Sequence, residues 1–178
     1  MTKHNFIIVT GGPGGGKTSL LENLSSKGMT CIPETARAII KERLANKLPP
    51  RPDPKTFAQQ IFAKDHQNYI ANTHVTSLLF FDRSFLDSAC QLYSADPKSY
   101  QEIENTHLKT RYNNTVFFVP PWKEIYNTDT ERDQSFDDAV RVYEQLYAWY
   151  EKHRYRIVAI PKDTIENRVE FILQEVSR

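Results

Sequence analysis

At 178 residues and a net charge of +1, the chain has the length of one domain and no overall electrostatic footprint for nucleic acid or a membrane surface. Aromatic residues at 12% supply core material and exclude a disordered chain. Two cysteines, Cys31 and Cys90, form no C-x-x-C or Cys/His cluster and read as small hydrophobes of a reducing compartment. No apolar run approaches the roughly 18 residues of a membrane span. The N-terminus runs straight into a strand pattern with no signal peptide before it. A cytoplasmic protein with a single domain over residues 1–178 is expected.

Phe6-Ile7-Ile8-Val9 is a continuous apolar run, the pattern of a buried strand. Gly11 to Thr18 then fits G-x-x-x-x-G-K-[ST], and Leu20, Leu21 and Leu24 follow at helical spacing. The pattern thus stands in the strand–turn–helix setting that a P-loop requires. Its glycines let successive backbone N–H groups face one concavity, where a Cβ would block a polyphosphate. The dipole of the helix beginning at Lys17 adds positive potential there. Gly12, Pro13, Gly14, Gly15, Gly16, Lys17, Thr18 and Ser19 are therefore candidate nucleotide contacts. Lys17 would reach the β- and γ-phosphates, and the Thr18 hydroxyl would bind Mg²⁺. The alternative is an ordinary glycine-rich turn.

Met29 to Ile32 reads as a second strand, entered through Gly28 as a helix C-cap. Pro33-Glu34-Thr35-Ala36-Arg37 opens a helix, and the proline-dense 48–54 stretch is a stiff loop. A long helix follows over Lys55–Thr73, with Phe57, Ile61, Phe62, Tyr69 and Ile70 on one face. Ser77 to Asp82 is a third buried strand ending in Asp82-Arg83-Ser84. Two shorter helices are expected over Phe85–Tyr93 and Lys98–Lys109. Asn114 to Val119 is the fourth strand, and the polar segment from Trp122 to Gln134 has no period. Ser135-Phe136-Asp137-Asp138 resembles a capping box before a helix with Phe136, Ala139/Val140, Tyr143, Leu146/Tyr147 and Tyr150 inward. Tyr155 to Ile160 is the fifth strand. A last helix begins at Asp163 and buries Ile165, Val169, Ile172, Leu173 and Val176.

Alternating strands and helices, with unbroken apolar strands, predict an α/β fold: a five-stranded parallel sheet with helices on both faces. Ligands of such sheets lie beyond the carboxyl ends of the strands. That draws attention to Glu34 and Arg37, Asp82 and Arg83, the 122–134 loop as a short lid, and Pro161 to Thr164. No N-K-x-D guanine motif occurs, which disfavours a Ras-like GTPase. Arg83 stands where motor and ring ATPases carry a water-polarising glutamate, and the chain has no room for a separate helical domain.

What remains resembles the nucleoside/nucleotide kinase branch of P-loop proteins, over the whole chain. The features are Gly11 to Thr18, Pro33-Glu34, Asp82-Arg83-Ser84, Asp129-Thr130-Glu131-Arg132 in a lid position, and Pro161-Lys162-Asp163-Thr164 in an adenine-loop position. More narrowly, the chain is similar to a small AAA-labelled family of ATPases or kinases, itself similar to the kinase domain acting on nicotinamide riboside. That family has P-E-x-A-R, D-R-x-x-x-D, an acidic lid with an arginine, and V-x-x-I-P. Here the last is Val158-Ala159-Ile160-Pro161, one residue shorter.

The resemblance implies ATP, or GTP, with Mg²⁺ as cofactors, and an unidentified small hydroxyl-bearing acceptor, nucleoside-like. Lys17, Asp82, Arg132 and Glu34 would be catalytic, with Asp82 the second metal anchor beside Thr18. Glu34, Arg37, Arg83 and Asp87 would hold the acceptor. Pro161, Lys162 and Thr164 would surround the base. Competing readings stay open at this point: helix capping for Asp82 and Glu34, a solvated surface arginine for Arg132, and a structural ion pair for Arg83 with Asp87 or Glu34. An ATPase or GTPase, or a nucleotide-regulated binding module, is the alternative to a kinase.

Overall fold

The computed structural model describes residues 3–98, 100, 101, 104, 110–126 and 135–177. Five strands form one parallel sheet: β1 (Phe6–Gly11), β2 (Thr30–Ile32), β3 (Leu79–Asp82), β4 (Thr115–Val119) and β5 (Arg156–Ala159), in the order β2-β3-β1-β4-β5. β1 is central and buried along its whole length, which is why its sequence is an unbroken apolar run. Its register pairs Val9 with Asp82 of β3 and Gly11 with Val119 of β4. The P-loop and the end of β3 therefore meet at the carboxyl end of the sheet.

Alternate residues of β1 face opposite layers. Ile7 and Val9 pack with Leu20, Leu21 and Leu24 of α1 (Lys17–Ser26) and Val169 and Ile172 of α6 (Ile165–Val176). Phe6 and Ile8 face α3 (Pro54–Ala71), α4 (Phe85–Ala95) and α5 (Phe136–Lys152). This is the three-layer α/β arrangement. Edge-on aromatic contacts such as Tyr69–Tyr112 (centroids 5.0 Å) and Phe6–Tyr69 (5.1 Å) lock the second layer, each worth about 0.5–1.5 kcal/mol beyond area burial.

Helix ends follow local chemistry. Gly28, at φ +85°, closes α1 with bonds from its N–H to Ser25 O and from Met29 N–H to Leu24 O. Asp53 caps α3 through Thr56 N–H at 3.0 Å, with Pro54 in the first turn. Ser84–Asp87 and Ser135–Asp138 form capping boxes on α4 and α5.

One expectation changes, and two of the competing readings fall away. Ile70 is 49% exposed while Ile61, Phe62 and Tyr69 are buried, since one residue on from Tyr69 it points about 100° further round the helix. Glu34 precedes α2 (Thr35–Ala45) but makes no side-chain cap bond, since its carboxylate is drawn to arginines. Asp82 does not cap α4, a role that Ser84 takes. Most of the helix expected over Lys98–Lys109 lies outside the described residues. Among those described, no helix is long and apolar enough to cross a membrane.

Candidate active site

The turn between β1 and α1 presents Gly16 at φ +81° as the first residue before α1, with no side-chain cap. The first N–H groups of α1 thus face the loop without a capping side chain, the arrangement that favours an anion. Lys17 is buried and donates from Nζ to Gly12 O at 2.7 Å and Gly11 O at 3.3 Å. Thr18 is half-buried and Ser19 exposed.

The glycines are needed for a reason that the sequence pattern does not reveal. A Cβ on Gly15 would lie 2.5 Å from Val119 Cγ1, and one on Gly12 2.5 Å from Ala139 O. At Gly14, φ +75°, it would enter the Tyr126 ring at 2.2 Å. The loop is wedged between β4, α5 and the start of the expected lid, so glycine is demanded by protein contacts on its outer side.

At the strand ends, charges interlock. Asp82 lies at the end of β3, and its buried Oδ1 has no hydrogen-bond partner among the described residues. Burial, and then the Glu34 charge, raise its carboxyl to about 6, against Lys17 and Arg83. Arg83 holds a left-handed backbone, φ +71°, which is costly for a non-glycine residue and turns its side chain back across the sheet edge. It donates from Nε to Glu34 Oε1 at 2.8 Å and from Nη1 to Asp87 Oδ1 at 3.3 Å. Burial would lower its pKa, but Glu34, Asp87 and Asp82 together raise it. Glu34 also pairs with Arg37 (3.4 Å). Burial pushes the Glu34 carboxyl up, yet Arg83, Lys17 and Arg37 prevail and hold it at about 2. Glu34 is a permanent anion at neutral pH.

Asp87 is committed to the protein. Its Oδ2 accepts from Ser84 N–H (3.0 Å), Ser84 Oγ (3.2 Å) and Tyr150 Oη (2.7 Å), while Oδ1 accepts from Thr10 and Arg83. It ties α4 and α5 to β1 beneath the site.

A cleft of about 600 Å³ begins at Pro13 and Lys17, passes Glu34, Arg37 and Arg83, and continues between α2, α3 and α4 past Ile40, Phe57, Ile61 and Gln91. Asp65 of α3 lines it, buried, with Thr35 hydrogen-bonded to its carboxyl. Burial raises Asp65 to about 7. Sequence reasoning missed Asp65, although a charge at the i, i+4 step between Ile61 and Tyr69 breaks an apolar stripe.

Residues 127–134 of the segment expected to form a lid, Asp129 to Arg132 among them, lie outside the described residues. On either side of them, Tyr126 Oη donates to Ser135 O at 3.1 Å, and the Tyr126 ring packs edge-on to Phe136. Beyond β5, Pro161 and Lys162 are exposed, while Thr164 caps α6 by accepting from Asn167 N–H. Arg168, one turn into α6, is 1% exposed and donates to Gly15 O at 2.9 Å, a second residue that sequence reasoning missed.

A glycine-rich turn between a central parallel strand and a helix, with a buried lysine at the helix start and an acid at the neighbouring strand end, defines a P-loop nucleotide-binding fold. The chain belongs to the family described as AAA domain, which matches residues 6–168. No curated protein matches it in sequence. Among solved structures it is similar to deoxyadenosine kinase from M. mycoides with bound dATP, at 14% identity and TM-score 0.61, over 97% of this chain and 99% of that one. It is also similar to the NadR protein in complex with NR, at 14% identity and TM-score 0.73, over 98% of this chain and 50% of NadR. These likenesses are of fold.

Proposed function

We propose that this chain transfers the γ-phosphoryl group of ATP to a hydroxyl of a small, nucleoside-like acceptor. The observation that carries the reading is the continuity of the cleft. One cavity joins the P-loop lysine to a partly apolar pocket walled by α2, α3 and α4, of a volume suited to a nucleoside. The kinases named in the similar structures add support at the level of fold alone.

Each residue then has a role. Lys17 and the N–H groups at the start of α1 bind the triphosphate. The Asp82 oxygen without a partner among the described residues suits a hydrated cation, so Thr18 and Asp82 would hold Mg²⁺, which neutralises phosphate charge when bound. Glu34, ionised at neutral pH, accepts a hydrogen bond from the acceptor hydroxyl and lines up its oxygen; at about 2 it is too weak a base to store the proton, which passes to an oxygen of the transferred phosphoryl group and from there to solvent. Arg83 and Arg37 fix the Glu34 carboxylate and face the acceptor. Arg132 of the 122–134 lid closes over the transferring group and excludes water. Pro161, Lys162 and Thr164 border the base.

The test is incubation with ATP, Mg²⁺ and a panel of nucleosides and vitamin ribosides, with products read by mass spectrometry. An acceptor heavier by one phosphoryl group is the expected result. Phosphate release independent of any acceptor would make the protein a hydrolase instead, and no turnover with retained nucleotide binding would make it a nucleotide-regulated binding module.

A further inference from the structure

Arg168 is buried to 1% exposure, yet no carboxylate among the described residues pairs with it. Its Nη2 donates to Gly15 O at 2.9 Å, and its guanidinium lies 5.8 Å from the Trp122 ring centroid. Nε and Nη1 have no partner among the described residues, and a Cβ on Gly16 would stand 2.9 Å from Nη1. A buried cation with two unsatisfied donors is costly for the folded state on its own. Its setting points elsewhere.

We propose that Arg168 is a positioning residue of the nucleotide cradle, which holds the Gly15 carbonyl outward so that the Gly16 N–H faces the triphosphate. The reason is peptide planarity. In a trans peptide, the carbonyl of one residue and the N–H of the next point in opposite directions. Fixing the Gly15 carbonyl toward α6 therefore fixes the Gly16 N–H toward the concavity. Gly16 has no side chain of its own to hold that orientation, and at φ +81° it holds a left-handed backbone that glycine enters without steric cost. The guanidinium also adds fixed positive charge behind the cradle, in a water-poor place where it is weakly screened. Since the Arg168 N–H bonds to Thr164 O at 3.0 Å, one turn of α6 links the loop after β5 to the phosphate loop.

The inference rests on the P-loop reading, and the experiment separates the two. ATP with Mg²⁺ is titrated calorimetrically into wild type, R168M and R168K, and each protein is melted without nucleotide. R168M removes a buried charge that pairs with no carboxylate among the described residues, at similar length, so its nucleotide-free melting temperature should equal or exceed that of wild type, while its ATP affinity falls at least about tenfold. R168K, which can still donate to Gly15 O, should recover part of that affinity. If R168M does not fold, R168K decides: weaker ATP binding in a folded R168K supports the proposal. Unchanged affinity in the folded variants overturns it, as does a lower melting temperature with unchanged affinity, the signature of a structural role. If wild type itself binds no ATP, the P-loop reading and this inference fall together.

Discussion

Arg83 Nε and Glu34 Oε1 meet at 2.8 Å and join the end of β3 to the end of β2 across the sheet edge. The same guanidinium reaches Asp87, and the same carboxylate reaches Arg37. This chain of charges fixes the wall of the cleft nearest Lys17. It also explains why Glu34 stays ionised despite burial.

Replacing Glu34 with glutamine tests that wall. E34Q leaves Arg83 short of a charge partner, so stability should fall by about 2–4 kcal/mol in chemical denaturation. ATP affinity should stay within a few-fold of wild type, while acceptor-dependent turnover drops by about a hundredfold or more. An equal loss in ATP binding and turnover would assign Glu34 to nucleotide binding instead.

Asp65 gives a pH signature. Its folded pKa of about 7 lies above the ordinary carboxyl value of 3.8, so the folded state binds more protons between those values. Its contribution to stability is therefore present at low pH and lost as pH rises from about 4 to about 7. In D65N the Thr35 hydroxyl can still donate to the amide oxygen, but nothing ionises. D65N should be more stable than wild type at pH 8 by about 2 kcal/mol more than at pH 5, measured by denaturation at both. A pH-independent difference would contradict the buried, neutral-leaning carboxyl. Glu34 acts in the opposite sense, since its stabilisation is lost as pH falls below about 4.5 toward 2.

Gly15 and Val119 should be coupled. A Cβ at Gly15 meets Val119 Cγ1 at 2.5 Å, and Pro120 O at 3.0 Å. G15A should destabilise by about 1–3 kcal/mol and weaken ATP binding. V119A costs about 1–3 kcal/mol by itself, since Val119 is buried in the core, but in the double variant it should return part of what G15A loses. Strict additivity in that cycle would mean the two residues do not compete for space.

The parallel sheet and the P-loop were legible because both leave local marks: unbroken apolar runs, and glycines, lysine and threonine at fixed spacing. The capping boxes were legible for the same reason at Ser135, but Asp87 hid its role. Its partners Thr10 and Tyr150 lie 77 and 63 residues away in sequence, and only the fold brings them together. Asp65 and Arg168 were missed for a different cause. Each is a charge set within an apolar stripe, Ile61–Asp65–Tyr69 and Ile165–Arg168–Ile172, and a stripe read by its apolar members passes over the polar one. The purpose of the glycines was half-legible: the motif implied a ligand-side cradle, whereas the tight contacts lie with Val119, Ala139 and Tyr126 on the protein side.

Lys17 offers a simple control. K17A should lose the rise in melting temperature that saturating ATP gives wild type, a stabilisation of about 2.7 kcal/mol at a hundredfold excess over Kd. An undiminished rise would remove the lysine from the phosphate site.

The most direct measurement is phosphorus NMR of ATP and Mg²⁺ with the protein, followed with and without a nucleoside or riboside acceptor, in wild type and E34Q. A phosphomonoester resonance that grows with ADP only when acceptor is present, and is suppressed in E34Q, is the predicted result. Inorganic phosphate appearing at one rate whether or not acceptor is added, with no phosphomonoester, would contradict the kinase.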